Sequence, residues 1–308
     1  MPKDIAQAVI WYRKAAEQGH AKAQFALGVM YGKGEGVPPD AAQAVTWYRK
    51  AAEQGYALAQ FVLGGSYDNG EGVPQDYGQA VVWYHKAAEQ GLAEAQYFLG
   101  LSYANGDGVQ QDAGQAVVWT RKAAEQGHAQ AQYNLAVWYT RGQGMPQDAA
   151  QAVVWYRKAA EQGLAEAQSN LGLMYANGQG GPQDDAQAVV WTRKAAEQGL
   201  ANAQSNLGLM YANGQGVPQD DAQAVVWYRK AAEQGHAQAQ YNLGVRLGKG
   251  KGVPKDYQQA YAWHSVAAAN GYADAVKLRD ILAKMLSPTQ LVEAQALATR
   301  YFELSQPK

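Results

Sequence analysis

The chain of 308 residues is 47% hydrophobic and 17% charged, with a formal charge of −1, 34 Gly, 9 Trp, 20 Tyr and no Cys. Its apolar share is too high for a disordered chain, and near-neutrality removes any bulk electrostatic drive toward nucleic acid or anionic membrane. The missing cysteine excludes disulfide scaffolds, thiolate zinc sites and thiol nucleophiles, and no apolar run reaches the ~18–20 residues of a membrane span.

The N-terminus, Met1-Pro2-Lys3-Asp4, does not read as a signal peptide. The first expected element is a helix over 4–18 that contains Trp11. From there Trp recurs at 47, 83, 119, 155, 191, 227 and 263, each interval being 36 residues. Asp keeps the same spacing seven residues before each Trp, from Asp4 to Asp256, and Gly keeps it eight residues after, from Gly19 to Gly271. A fixed period of this length signals a solenoid, in which each unit buries its apolar face against its neighbours. Length alone suggests two domains, but a chain of this kind needs no single large core and reads as one elongated domain.

Each unit contains two helical segments. The first, as in Ala165–Tyr175, has few β-branched residues and stops at Asn177-Gly178, a pair suited to a left-handed C-cap. A loop such as Gly214–Asp220 follows, with Asp220 or Asp221 placed as an N-cap. The second segment, Ala222–Gln234, carries the Trp and stops at Gly235. Gly28, Gly64, Gly100, Gly172, Gly208 and Gly244 sit inside the first helix, where Gly costs ~1 kcal/mol relative to Ala, so a neighbour is expected close by. Residues 163–198 and 199–234 differ at 3 of 36 positions. After Ala275 the repeat decays, and Ser287-Pro288-Thr289-Gln290 reads as a capping box opening a last helix over 288–304.

The pattern Ala-x-Ala-Gln-x-x-Leu-Gly-x-x-Tyr-x-x-Gly-x-Gly-Val-x-x-Asp, then Ala-x-x-Trp-x-x-Lys-Ala-Ala-Glu-x-Gly, resembles the Sel-one-like repeat, a cousin of the tetratricopeptide repeat, over residues 4–276. The resemblance implies an all-α, right-handed α/α superhelical solenoid of helix-turn-helix repeats, with the Ala-x-Ala-Gln helices (A) lining a concave face and the Trp helices (B) outside. Residues 1–19 are then an orphan B helix, 20–271 seven full repeats, and 272–308 a divergent last A helix with a capping helix, in one continuous domain. An uncapped B helix at the start suggests a trimmed precursor, or a monomer able to form an end-to-end dimer through that helix.

No constellation for chemistry stands out. His20, His128 and His236 share one register 108 residues apart, about 30 Å at ~10 Å per helix pair, and cannot share a metal. His85 and His264 read as surface variation on the Trp helix. Asp68-Asn69-Gly70-Glu71-Gly72 lacks the spacing of a calcium loop and reads as turn chemistry. The Gly-x-Gly loops lack the strand and Lys of a phosphate cradle. Arg-Lys pairs such as Arg49-Lys50 and Arg193-Lys194 are each followed by a Glu within a turn and read as a solvated outer face. No metal or cofactor is expected, and a Ser-x-x-Lys nucleophile, the motif of the β-lactamase name attached to some relatives, is absent.

Binding is expected at the A-helix register that the repeat leaves free. With ~100° per residue, Leu171, Gly172 and Tyr175 fall on one face, and Glu166, Ser169, Leu173 and Asn177 on another. Across the units that second stripe gives Phe25, Val29, Leu58, Phe61, Glu94, Tyr97, Leu101, Gln130, Tyr133, Val137, Arg141, Ser169, Leu173, Ser205, Leu209 and Tyr241 as partner-binding candidates. It is aromatic over the first four units and hydroxyl-bearing in the next two. Packing of the rings between neighbouring A helices is the competing reading, and Trp138, outside the 36-residue series, is either an exposed anchor or a filler. The resemblance implies an adaptor in complex assembly, signalling, secretion, host contact or toxin immunity, in a bacterial setting. The leading expectation is a non-enzymatic scaffold that holds a protein or peptide segment. A glycan-binding scaffold ranks second and an enzyme third, with a designed or trimmed array without a native partner as a further possibility. The compartment is cytoplasmic as given, or periplasmic if a signal was removed.

Overall fold

The computed structural model describes residues 2–306, with side chains over 5–306. Among these residues there are seventeen helices and no strand. They fall into two compact units divided at Asp148 and Ala149. The first holds α1 (Pro2–Glu17), α2 (Ala21–Lys33), α3 (Ala41–Glu53), α4 (Ala57–Asn69), α5 (Tyr77–Glu89), α6 (Ala93–Asn105), α7 (Ala113–Glu125) and α8 (Ala129–Arg141). The second holds α9 (Ala149–Glu161), α10 (Ala165–Asn177), α11 (Asp185–Glu197), α12 (Ala201–Asn213), α13 (Asp221–Glu233), α14 (Ala237–Lys249), α15 (Tyr257–Ala269), α16 (Asp274–Met285) and α17 (Pro288–Leu304). Helix A and helix B alternate at the 36-residue step read from the sequence.

The helix ends follow the expected chemistry. Asp40, Asp76 and Asp112 in the first unit, and Asp184, Asp220 and Asp256 in the second, each accept the backbone N–H three residues on, at 2.9–3.0 Å. Asp220, not Asp221, is therefore the cap of α13. Ser287 and Gln290 close a reciprocal capping box on α17, at 3.3 and 3.0 Å. Each of these short helices draws its stability from packing. On α3 the buried residues Ala44, Val45, Tyr48, Ala51 and Ala52 follow the helical period. They meet Ala59 and Leu63 of α4 in one cluster, which Trp83 of α5 closes.

That contact repeats within each unit: Trp119 packs on the Ala80–Ala88 face of α5, and Trp227 on the Ala188–Ala196 face of α11. Trp83, Trp119 and Trp227 thus each seat on the B helix before them. Trp11 on α1 is 65% exposed. At the other extreme Trp263 packs on α13 residues and is then covered by α17, whose Tyr301 stacks on it at 4.5 Å. The glycines inside the A helices mark a close approach. A Cβ at Gly64 would lie 2.6 Å from the Tyr84 ring, and one at Gly208 2.7 Å from the Tyr228 ring.

A polar thread runs beside the apolar core. Buried Gln60 donates from Nε2 to the Ala52 carbonyl at 3.1 Å, satisfying an orphan acceptor in the last turn of α3, while Gln90 Nε2 donates to Gln60 Oε1 at 2.7 Å. The second unit repeats it through Gln204, Ala196 and Gln234.

Candidate functional site

In the first unit the expected stripe lies on α2, α4, α6 and α8. Leu58 and Glu94 are exposed, and so is Arg141 at the end of α8; Phe25, Val29, Phe61, Tyr97, Leu101, Gln130, Tyr133 and Val137 are half-buried. The rings bridge from one A helix to the next repeat rather than standing free. Phe25 contacts Tyr48 and Tyr56 at 5.7 and 5.4 Å, and Phe61 contacts Tyr84 and Phe98 at 5.8 and 5.6 Å. Tyr97 stacks on His128 at 4.6 Å and its hydroxyl accepts from Asn134 at 3.4 Å. One face of Tyr97 is thereby taken, which leaves less ring for a sugar to stack on.

The second unit corrects the reading at two positions. Ser169 and Ser205, expected to offer hydroxyls to a partner, are 6% and 4% exposed. A serine is too short to rise above the side chains around it, so the register that exposes part of a ring in the first unit seals a hydroxyl here. Leu173 and Leu209 do stand out, and Tyr241 is half-buried against Tyr272 at 4.8 Å. His264 is a further correction. Read as surface variation, it is 2% exposed, and burial pushes its pKa down to about 4. Its register holds Tyr228 in the preceding repeat, which is also buried. The Tyr and Thr at this register were the signal that the position faces inward.

Several of the basic and histidine positions have structural partners. Lys50, Lys86 and Lys122 place their ammonium groups 3.9–4.2 Å from the rings of Trp47, Trp83 and Trp119. Arg49 and Arg121 donate to Tyr67 and Tyr139 at 2.8 and 2.9 Å. The Arg-Lys face is therefore tied to rings by cation–π and hydrogen-bond contacts, beyond simple solvation. His128 and His236 accept backbone N–H groups at Nδ1 at their helix starts, and burial lowers the pKa of both. Trp138 is half-buried and lines a small hollow with Ala113 and Ala116 of α7.

Two properties of this surface decide its kinship: the repeat-spaced A/B helix pairs, and a variable stripe on an otherwise invariant core. The family model for the Sel1 repeat matches residues 1–20, 21–56, 57–92, 93–128, 129–164, 165–200, 201–236 and 237–272. The chain is a Sel1-repeat protein. A Sel1 repeat protein from Oxalobacter formigenes is 38% identical, with 92% of this chain and 82% of that one covered and a TM-score of 0.71. The protective antigen c5321 of uropathogenic Escherichia coli, described as displaying an SLR fold, is 36% identical over 97% of this chain and 80% of its own, with a TM-score of 0.49. The immunity protein Pa5087 of Pseudomonas aeruginosa is 24% identical over 77% and 85%, with a TM-score of 0.37. No curated protein matches the chain. Sel1 repeats generally mediate protein–protein interaction and are generally non-catalytic scaffolds. No helix among the described residues is long and apolar enough to cross a membrane.

Measured against its own Sel1 consensus, the first unit holds a feature that reading along the chain misses. A cavity of about 560 Å³ opens between α3, α4, α5 and α6. Gly65, Asp68 and Phe98 line it, and each departs from its register: Leu or Val stands at the Gly65 position in every other repeat, and Asn follows at the Phe98 position from Asn134 onward. The Asp68 position holds Gly, Ala or Thr elsewhere. Tyr84 donates its hydroxyl to Asp68 Oδ2 at 3.2 Å, and its pKa is raised by burial first and by Asp68 second.

Proposed function

We propose that this Sel1-repeat protein is a non-enzymatic adaptor that holds a segment of a partner protein along the A-helix stripe of its first unit, residues 25–141. The observation that carries the reading is the coincidence of variability and exposure at one register. Leu27, Leu63, Leu99 and Leu135 are sealed and constant, whereas Phe25, Phe61, Tyr97 and Tyr133, two residues before each, are half-open and differ between repeats. Rigid aromatic side chains on a preformed helical surface are suited to act as binding hot spots. An extended segment advances ~3.3 Å per residue, so roughly three of its residues would match each ~10 Å repeat step.

Site-specific photo-crosslinking tests this reading. A benzophenone side chain at Leu101 or Val137 should give a covalent adduct with the same bacterial partner, identified by mass spectrometry. The same group at Val118, exposed on the B helix α7, should give none. Adducts from Val118 alone, or equally from all three positions, would move the binding surface to the B helices.

A further inference from the structure

We propose that the cavity beside Asp68 is an anchor pocket for one basic side chain, Arg or Lys, of the bound segment; this rests on the adaptor reading and adds its chemistry. Three arguments converge. The first is shape. Gly65 is where the other repeats carry Val or Leu, and a Cβ built there meets only the Tyr84 hydroxyl at 3.8 Å. Space is therefore created by leaving out a side chain. Its volume of about 560 Å³ falls within the ~300–1,000 Å³ of ordinary ligand clefts.

The second argument is the lining. Tyr84, Phe61 and Phe98 touch one another with ring centroids 5.5–5.8 Å apart, and Tyr48 lines the same hollow. Aromatic walls of this kind attract a cation through their quadrupoles, and an arginine plane can also stack on them. The third argument is charge. Asp68 and Glu71 line the cavity, and no Lys or Arg does. Tyr84 holds one oxygen of Asp68, which fixes the carboxylate before any partner arrives. An apolar or acidic side chain would leave those carboxylates without a countercharge; a guanidinium or ammonium supplies it.

The pocket also breaks the repeat at three registers on two helices. A feature that recurs in every repeat belongs to the scaffold, whereas this combination occurs once. Phe98 brings a ring where the later repeats have Asn, and Asp68 brings the one acid at its register.

The experiment is a titration of the full chain with acetyl-Leu-Arg-Leu-amide, its Lys analogue and its uncharged citrulline analogue, read by NMR of the backbone amides. Saturable shifts should centre on Gly65, Asp68 and Glu71, with the Arg and Lys peptides binding at least about tenfold tighter than the citrulline one. Asp68→Asn keeps an acceptor for Tyr84 but removes the charge and should erase that preference. Gly65→Leu installs the residue found at Leu101, Leu173 and Leu209, so the fold accommodates it, and should abolish the shifts. Equal affinity for the Arg and citrulline peptides overturns the proposal, as does the absence of saturable shifts at Gly65 and Asp68, or shifts that survive Gly65→Leu. Crosslinks from Leu101 without Arg selectivity would sink the pocket and leave the adaptor standing. Arg-selective binding without those crosslinks would do the reverse to the adaptor.

Discussion

The segment α4–α6 of the first unit and the segment α10–α12 of the second are built on the same consensus and differ in what they leave open. Both carry a sealed Leu at the centre of each A helix, a Gly pressed against the next B helix, and the Gln thread. In the second the stripe positions are Ser169 and Ser205, buried, and the loop acid gives way to Gln179 and Gln215. In the first they are Tyr97 and Phe61, of which Phe61 lines the cavity with Asp68 and Glu71. The lesson is a division of labour: what repeats holds the fold together, and what departs from the repeat supplies recognition.

That division can be broken by measurement, starting with the largest effect. Leu63→Ala and Leu207→Ala each empty a fully buried site and should cost about 2–5 kcal/mol. The costs should agree closely in urea unfolding, and a much cheaper Leu63→Ala would show that the first segment is not built like the second. Acid should separate Tyr84 from His264, which share one register. The His264 pKa of about 4 lies below the ordinary 6.5, so the unfolded chain binds the extra proton between those values. Its contribution is whole above pH 6.5, falls as pH drops toward 4, and amounts to roughly 3 kcal/mol. Thermal melts across that window should show the loss, and His264→Tyr should flatten it.

Smaller effects sharpen the contrast. Gln60→Leu and Gln204→Leu each strand the carbonyl of a B-helix last turn and should cost about 1–3 kcal/mol in either segment, read by chemical denaturation. Asp68→Asn and Gly65→Leu, by contrast, should move stability by no more than about 0.5 kcal/mol. A loss of several kcal/mol from Asp68→Asn would place that carboxylate in the scaffold.

The period, the caps and both helix types were legible because Trp, Asp and Gly return at fixed steps and each has a local physical role. The register of the stripe was legible too, since helical angle gives the direction of a side chain. Depth was not. The angle that points Tyr97 outward points Ser169 the same way, and only the height of the surrounding side chains buries the serine. His264 was misread because a polar residue on the Trp helix was taken to face solvent, although the Tyr at its register already marked an inward position. The pocket escaped for another reason. Gly65, Asp68 and Phe98 span two A helices and include a missing side chain, so their convergence is visible only once the helices are stacked.

The seating of a Trp on the B helix before it, as Trp227 sits on α11, has an evolutionary consequence. Residues 163–198 and 199–234 are nearly interchangeable, so loss or gain of one whole copy there rebuilds the junction it removes. Chain length can then drift in steps of 36 residues with no new contact to be invented, while the specialised segment around Asp68 lies outside the duplicated copies.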